Sequence, residues 1–266
     1  MFRRLRSALA GHYSYTDLVS FVEAVIANPP WPPDWRSAVD SVQGLLPDGQ
    51  AFDDAWREKS ILPSIRQISE QPTKKLQYLA LIDKILDIEE TMAIGRCIRD
   101  YTNEQAADIL FEWPDDARAG QTIEWKRAWL AVRSLDDVLS GTVLFLLAEY
   151  AFDADAALLK PTVGLFGEAK AYFTGMRFRL RTLHWHPGSE MTADDSVACE
   201  RQAEPMFQEM ERQIAAIRRE IRNADFVSGA VPLERIEALM QNMEHAARTE
   251  YRRITGRAPP LDESAG

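Results

Sequence analysis

The sequence predicts an all-α protein, a multi-helix bundle that ends in a long antiparallel helical hairpin. Apolar residues recur at alternating spacings of three and four through nearly every segment, which is the period of an amphipathic helix. Proline and glycine punctuate the chain between these segments, as expected at helix ends. Only one stretch, GMRFRLRTLHWHPG at residues 175–188, alternates in a way that suits a strand.

The amino-acid composition and the net charge argue against several classes of function. The chain has 266 residues, a net charge of −10 and a pI of about 5.0. This acidic balance argues against a nucleic-acid partner, because affinity for phosphate backbones comes from clustered lysine and arginine. Two cysteines without a CxxC motif indicate neither a thiolate zinc site nor a disulfide framework, and they suit a reducing cytoplasm. The preference for arginine over lysine indicates a bacterial, high-GC gene.

The first 160 residues are predicted to form an N-terminal helical domain. Its first helix has a wide apolar stripe and ends at Asn28-Pro-Pro. Pro63 is expected to interrupt the third helix, and Ser134 to cap the last one. The apolar run Gly141–Phe152 is short and contains Glu149, so it predicts a core helix rather than a membrane span. The predicted helices are Tyr15–Ala27, Asp34–Leu46, Phe52–Glu70, Thr73–Tyr101, Asn103–Phe111, Thr122–Arg133 and Leu135–Phe152.

A second region, residues 161–257, is predicted to contain long helices. The spacing of its apolar residues runs through the alternating stretch without a break, so a helix that ends at Pro187-Gly188 is favoured over a strand. Pro161 suits the first turn of that helix. Arg177 and Arg181 are four residues apart and are expected to share a face that is either solvated or bound to an acidic partner. The apolar set is Phe166, Ala169, Phe173, Met176, Leu180 and Leu183.

The helical interpretation decides how the two histidines of this stretch are read. Residues two apart on a helix point about 200° from each other, so His184 and His186 are not expected to share a metal ion. In the last helical turn, their side chains suit the negative end of the helix dipole. The alternative is a catalytic or metal-binding pair in a bent loop.

Four pairs of adjacent aspartates are the other candidates for chemistry: Asp53-Asp54, Asp115-Asp116, Asp136-Asp137 and Asp194-Asp195. None is followed by the third acid of an Asp-Asp-x-x-Asp magnesium motif. Three pairs fall in the first turn of a predicted helix, where carboxylates are stabilised by the helix dipole without any function. We therefore expect them to be dispensable. If the protein is an enzyme, Asp136, Asp137, His184 and His186 are the residues we expect in its pocket.

The C-terminal hairpin carries the predicted contact surface for a partner. Its two helices are joined by a short segment with Gly229 and Pro232, and each has an apolar seam. We predict that Met210, Ile214, Ile217, Met240 and Met243, together with Arg177 and Arg181, contact a protein partner or a second copy of the chain. The alternative is that the hairpin only docks on its own N-terminal domain. Residues 258–266 are predicted to be a disordered tail.

Several familiar functions lack their motifs. The sequence has no GxxxxGK[ST], GxGxxG, GxSxG, Glu-x-x-His or His-Glu-x-x-His pattern, and we predict no cofactor and no bound metal. The expected function is that of a non-catalytic helical interaction or adaptor protein in a bacterial, cytoplasmic complex or oligomer. The alternative is a helical-bundle enzyme with a pocket of carboxylates and histidines, with or without a dependence on a metal.

Overall fold

The structure, a computed structural model, describes residues 11–28, 30, 35–43, 51–99, 123–185 and 189–257. Ten α-helices are numbered here in chain order within those residues. A π-helical segment, Arg57–Ile61, joins α3 to α4, and a short 3₁₀ turn, Leu183–Trp185, follows α7. The helices are α1 (Tyr15–Ala27), α2 (Trp35–Gln43), α3 (Phe52–Trp56), α4 (Leu62–Ser69), α5 (Lys74–Arg99), α6 (Ile123–Phe152), α7 (Ala156–Arg181), α8 (Ala193–Gln202), α9 (Glu204–Asn223) and α10 (Leu233–Thr255).

The prediction of an all-α bundle is confirmed. Within the described residues, extended pairing is limited to a single antiparallel bridge between Asp225 and Ala230. No helix in the described part of the chain is long and apolar enough to cross a membrane. The predicted helix Asn103–Phe111, His186 and the tail 258–266 lie outside the described residues.

Side-chain caps fix several helix starts. Ser14 and Asp17 form a reciprocal capping box at α1. Thr192 and Asp195 form another at α8. Asp155 caps α7, whose first residue, Ala156, lies five residues before Pro161. Pro161 therefore lies inside α7 rather than in its first turn, and the prediction for Pro161 is wrong.

The predicted break at Ser134 is also wrong. Residues 123–152 form one helix, and Ser134 lies on its exposed side. A serine in the middle of an exposed helical turn costs only a few tenths of a kcal/mol, on the order of 0.5, relative to alanine. The apolar residues that follow it, which are held by the core, outweigh this small cost. Asp136 and Asp137 consequently lie in the interior of a helix, and the prediction that they occupy a first turn is wrong.

The helix that carries the arginines ends earlier than predicted. The last residue of α7 is Arg181, and the chain then tightens into the 3₁₀ turn that contains His184. The Thr182 hydroxyl donates a hydrogen bond to the Phe178 carbonyl at 2.9 Å, which satisfies one of the last acceptors of α7. His184 is therefore outside the regular helix, and the predicted helix end at Pro187 is wrong.

Helix α5 lies at the centre of the bundle and packs against both α6 and α7. The buried apolar side chains form one continuous cluster that runs from Tyr13 to Tyr251. Gln77, a buried polar residue of this core, is paired: its side-chain amide accepts a hydrogen bond from the Tyr13 backbone N–H at 2.8 Å and donates one to the Tyr13 carbonyl at 2.7 Å. The division at 160/161 stays a prediction, and this boundary falls within α7.

The last two helices, α9 and α10, pack against each other and against α7. Glu220 near the end of α9 forms an ion pair with Arg235 near the start of α10. At the other end, Met206 of α9 lies in the same groove as Glu250 of α10. The linker between them turns at Gly229, whose φ of +80° is a conformation that side chains other than glycine rarely adopt.

Candidate functional site

A polar cleft lies between α5, the π-helical segment and α6. The π segment begins six residues before Pro63, which has no backbone N–H to donate within a helix. The wider turn closes with a hydrogen bond from the Leu62 N–H to the Arg57 carbonyl. Such single π turns are frequent at functional sites. Here the turn carries Lys59 and Ser60, which line the cleft.

Asp136 connects α6 to this wall of the cleft. The Ser60 hydroxyl donates a short hydrogen bond to one carboxylate oxygen of Asp136, and Ser140 lies 3.3 Å from the other. The Trp56 indole N–H donates to the Ser140 hydroxyl at 2.8 Å, so the serine is held in place. Burial raises the pKa of Asp136, while the Ser60 hydrogen bond and the charge of Arg133 oppose this increase.

Asp137 is the more deeply buried acid of the pair, since its side chain is only 3% exposed. Its partner on α6 is Arg133, whose Nε lies 3.5 Å from a carboxylate oxygen. Burial raises the pKa of Asp137 to about 7; the positive charge of Arg133 lowers it and the negative charge of Asp136 raises it further. An acid with this pKa exchanges a proton at neutral pH.

The cleft has a volume of about 280 Å³ and is open to solvent. Its walls combine hydroxyl groups, both acids of the pair and three basic side chains, with little apolar surface. Small-molecule sites are more often mainly apolar with a few polar groups, so this cleft suits a small and strongly polar ligand. The lining residues are Lys59, Ser60, Pro63, Ser64, Gln67, Lys84, Asp87, Ile88, Thr91, Arg133, Asp136, Asp137 and Ser140.

His184, which was predicted to share an enzyme site with Asp136 and Asp137, lies outside the cleft. Nδ1 of His184 is 2.9 Å from the hydroxyl of Ser196, and the His184 backbone N–H donates to the same oxygen. Ser196 is completely buried, so its hydroxyl is not accessible to a substrate. His184 is not among the residues that line the cleft. The structure therefore brings Asp136 and Asp137 together but not His184.

The same residues do not form a metal site. Within the described residues, no group of three or more histidine, cysteine, aspartate or glutamate side chains is arranged to hold a metal ion. In the cleft, each acid of the pair already has a partner: Ser60 for Asp136 and Arg133 for Asp137. The chemistry that this arrangement supports is proton transfer and hydrogen bonding by the side chains themselves.

The residues predicted to contact a partner lie mostly in the chain's own core. The apolar ones are exposed by at most 8%, because α9 and α10 turn their seams toward each other and toward α7. They are Met210 (1%), Ile214 (4%), Ile217 (0%), Met240 (8%) and Met243 (1%). Arg177 and Arg181 do share a face, and both bind Glu200 of α8, with Nε to Oε1 distances of 3.2 and 2.6 Å.

A shallow apolar groove remains on the surface between α9 and α10. It has a volume of about 310 Å³. Side chains at its edges, including Ala246, are exposed, whereas its floor is formed by methionines that belong to the core. Methionine adapts its shape to different contacts more readily than branched residues do. The lining residues are Pro205, Met206, Glu209, Met210, Met243, Ala246, Ala247 and Glu250.

Four residues that line the cleft were not predicted from the sequence: Lys59, Ser60, Lys84 and Ser140. One signal was present: a helix that continues through Ser134 puts Asp137 on its inner side, four residues after Arg133. Comparison with protein-family models, with curated proteins and with solved structures finds no match to this chain. The chemistry of the cleft is therefore argued from its own residues.

Proposed function

We propose that the protein is an enzyme whose active site is the polar cleft, with Asp137 as the group that gives and takes a proton. The observation that carries this proposal is a carboxyl group that is 3% exposed and yet lines an open cleft. A buried acid with one cation at 3.5 Å is costly for folding, and such groups are concentrated at functional sites.

Each neighbouring group has a defined role in this proposal. Burial keeps the Asp137 proton bound near neutral pH, and the negative charge of Asp136, which is held by Ser60 and Ser140, adds to this effect. Arg133 limits this effect and stabilises the carboxylate that forms when the proton leaves. The Trp56–Ser140 hydrogen bond holds the wall in position. The reaction class is general acid–base catalysis on a small polar molecule.

A turnover experiment tests the proposal. The purified protein is incubated with a pooled extract of cell metabolites, and the small molecules are compared by mass spectrometry before and after. At least one compound should be consumed by the wild type and left intact by Asp137→Asn. Asp194→Asn, which changes an exposed aspartate at the start of α8, should behave as the wild type. Identical profiles for the wild type and Asp137→Asn would show that the cleft is not an active site.

The groove between α9 and α10 favours a second candidate function, self-association in a cytoplasmic complex. The occupant that we propose is a second copy of the chain, because a two-fold contact lets each copy cover the methionine floor of the other. Glu209 and Glu250 at the groove are each paired with an arginine of their own helix. This mixed charge beside an apolar floor is typical of contacts between helices.

Sedimentation velocity tests the second candidate. Ala246 lines the groove and is exposed, so Ala246→Glu adds a charge there without disturbing the core. His245 is also exposed but does not line the groove, so His245→Glu is the matched control. A dimer should form in the wild type and in His245→Glu and be lost in Ala246→Glu. A wild type that stays monomeric as its concentration rises would exclude this function.

A further inference from the structure

Lys84 is the basic residue of the cleft whose surroundings leave it without a counter-ion. Its ammonium group makes no ion pair or hydrogen bond with any described residue, although acids flank it in the sequence. Those acids are directed elsewhere: Asp83 binds Arg222 at 3.1 Å, and Asp87 binds Arg218 at 2.6 Å, both on α9. The face of α5 toward the cleft therefore presents Lys84 without an ion-pair partner among the described residues, beside Asp87, whose carboxylate is bound to Arg218.

The opposite wall is formed by α6 and is close to neutral when Asp137 is protonated. The ionisable side chains that line the cleft are Lys59 on the π segment, Lys84 and Asp87 on α5, and Arg133, Asp136 and Asp137 on α6. When Asp137 is protonated, these three basic side chains stand against the carboxylates of Asp87 and Asp136, and Asp87 is also bound by Arg218 of α9. The formal charge of the lining is then positive by one.

We propose that the cleft binds the oxyanion of a small molecule, a carboxylate or a phosphate-like group, between the Lys84 ammonium group and the protonated carboxyl of Asp137. This inference rests on the proposed function, because it names the substrate class of the same site. The Ser64 hydroxyl, which also lines the cleft, donates its one hydrogen to the Ser60 carbonyl at 2.9 Å and so leaves the anion to Lys84 and Asp137. A neutral Asp137 donates its O–H to the anion, whereas an ionised Asp137 repels it.

Binding of the anion is therefore coupled to protonation of Asp137. When the pH lies above the pKa of Asp137, the anion binds only to the fraction of molecules that have taken up a proton, so the apparent affinity falls with that fraction. With a pKa of about 7, affinity should fall by more than about tenfold between pH 6.5 and pH 8.5. Proton uptake on binding should be measurable as a dependence of the binding enthalpy on the ionisation enthalpy of the buffer.

Isothermal titration calorimetry of the full chain with sulfate and with succinate tests the proposal. Both ions keep nearly constant charge over this pH range, and glycerol serves as a neutral probe. Binding of sulfate alone identifies a phosphate-like ligand, and binding of succinate alone identifies a carboxylate; either supports the proposal. Failure of both ions to bind at pH 6.5, or equal affinity for glycerol, would overturn it.

Two variants separate this site from general charge effects. Lys84→Met should weaken anion binding by roughly tenfold or more, because a charge-assisted hydrogen bond is lost. Lys75→Met, an exposed lysine on the same helix, should leave the affinity unchanged. Asp137→Asn keeps a neutral donor, so its affinity at pH 8.5 should equal that of the wild type at pH 6.5. Unchanged binding in Lys84→Met, or a pH dependence that persists in Asp137→Asn, would contradict the proposal.

Failure of the anion-binding proposal and failure of the proposed enzymatic function give different results. If a metabolite is turned over in a manner that depends on Asp137 but neither ion binds, the enzyme proposal stands and the assignment of an anionic substrate is wrong. If the ions bind through Lys84 but nothing is turned over, the cleft is an anion-binding site without catalysis, and the proposed function is wrong.

Discussion

The polar cleft and the C-terminal helix pair, α9 and α10, differ in whether burial and ion pairing explain the positions of their residues. In the helix pair, each apolar residue of the seams is buried, and the acids and arginines around them form ion pairs such as Glu220–Arg235. In the cleft, Asp137 is buried beside a cation at 3.5 Å, and Lys84 lines the cleft without an ion-pair partner among the described residues. Stability explains the buried seams of the helix pair, apart from the groove at its surface, whereas the burial of Asp137 carries a cost that stability does not explain.

This difference shows where function is to be sought. A set of methionines and isoleucines at helical spacing was the most regular feature of the sequence, and the structure uses it for packing. The less regular feature, an acid pair inside a helix, faces a cleft.

The largest loss of stability is expected in the helix pair. Ile217 is completely buried, so Ile217→Ala should lower the free energy of unfolding by about 2–5 kcal/mol. Chemical denaturation followed by circular dichroism measures the effect. Arg219→Ala, an exposed change on the same helix, should stay within about 0.5 kcal/mol of the wild type. A loss below about 1 kcal/mol for Ile217→Ala would mean that this seam is not part of the core.

In the cleft, removal of a charged group should have the opposite effect and raise the free energy of unfolding. Burial raises the pKa of Asp137 in the folded protein above its value of 3.8 when unfolded, so folding favours the protonated form. The associated stability is complete below pH 3.8 and is lost as the pH rises through about 7. Asp137→Asn should therefore stabilise the protein at pH 8 by about 2–4 kcal/mol and have little effect at pH 4.

The control for this prediction is Asp194→Asn, which removes a carboxylate from the first turn of α8. That change should destabilise the protein by about 0.3–1 kcal/mol through the helix dipole. Urea denaturation of both variants at pH 4 and pH 8 provides the comparison. A destabilised Asp137→Asn at pH 8 would show that the carboxylate is well solvated or well paired, and the distinction between the two regions would be lost.

Helix α5 lies between the polar cleft and the C-terminal helix pair. Gly167 of α7 packs closely against α5. A methyl group at position 167 would come within 2.1 Å of Glu89 Oε1, and Glu89 binds Arg96. Gly167→Ala should therefore cost about 1–3 kcal/mol despite the better helix propensity of alanine. Gly175→Ala on the same helix meets no atom within 4 Å and should stabilise by about 0.5–1 kcal/mol. Equal effects of the two changes in thermal denaturation would exclude close packing at Gly167.

The smallest effect is expected for the predicted partner contacts on α7. Arg181 binds Glu200 from a partly exposed position, and such surface pairs contribute about 0–1 kcal/mol. Arg181→Ala should therefore change the midpoint of chemical denaturation only slightly, and less at high salt than at low salt. A loss above about 2 kcal/mol would indicate that the pair is part of the structural core.

The helical period in the sequence was sufficient to predict the fold class and most helices, because burial of an apolar stripe dominates these segments. It could not locate the helix ends around Ser134 and Pro187, where small differences in capping and packing decide the outcome. The cleft could not be predicted, since Ser60 and Asp136 are 76 residues apart and meet only through packing of the π segment on α6. The pKa of Asp137 depends on that same burial.

A pH titration of the aspartate side-chain carboxyls by NMR tests the central claim most directly. One carboxyl signal should titrate with an apparent pKa near 7, and it should be absent from the spectrum of Asp137→Asn. The Asp136 signal should shift over the same range, because the two groups interact. If every aspartate of the wild type titrates below about pH 5, Asp137 is an ordinary ionised carboxylate at neutral pH, and the account of the cleft as a proton-transfer site is wrong.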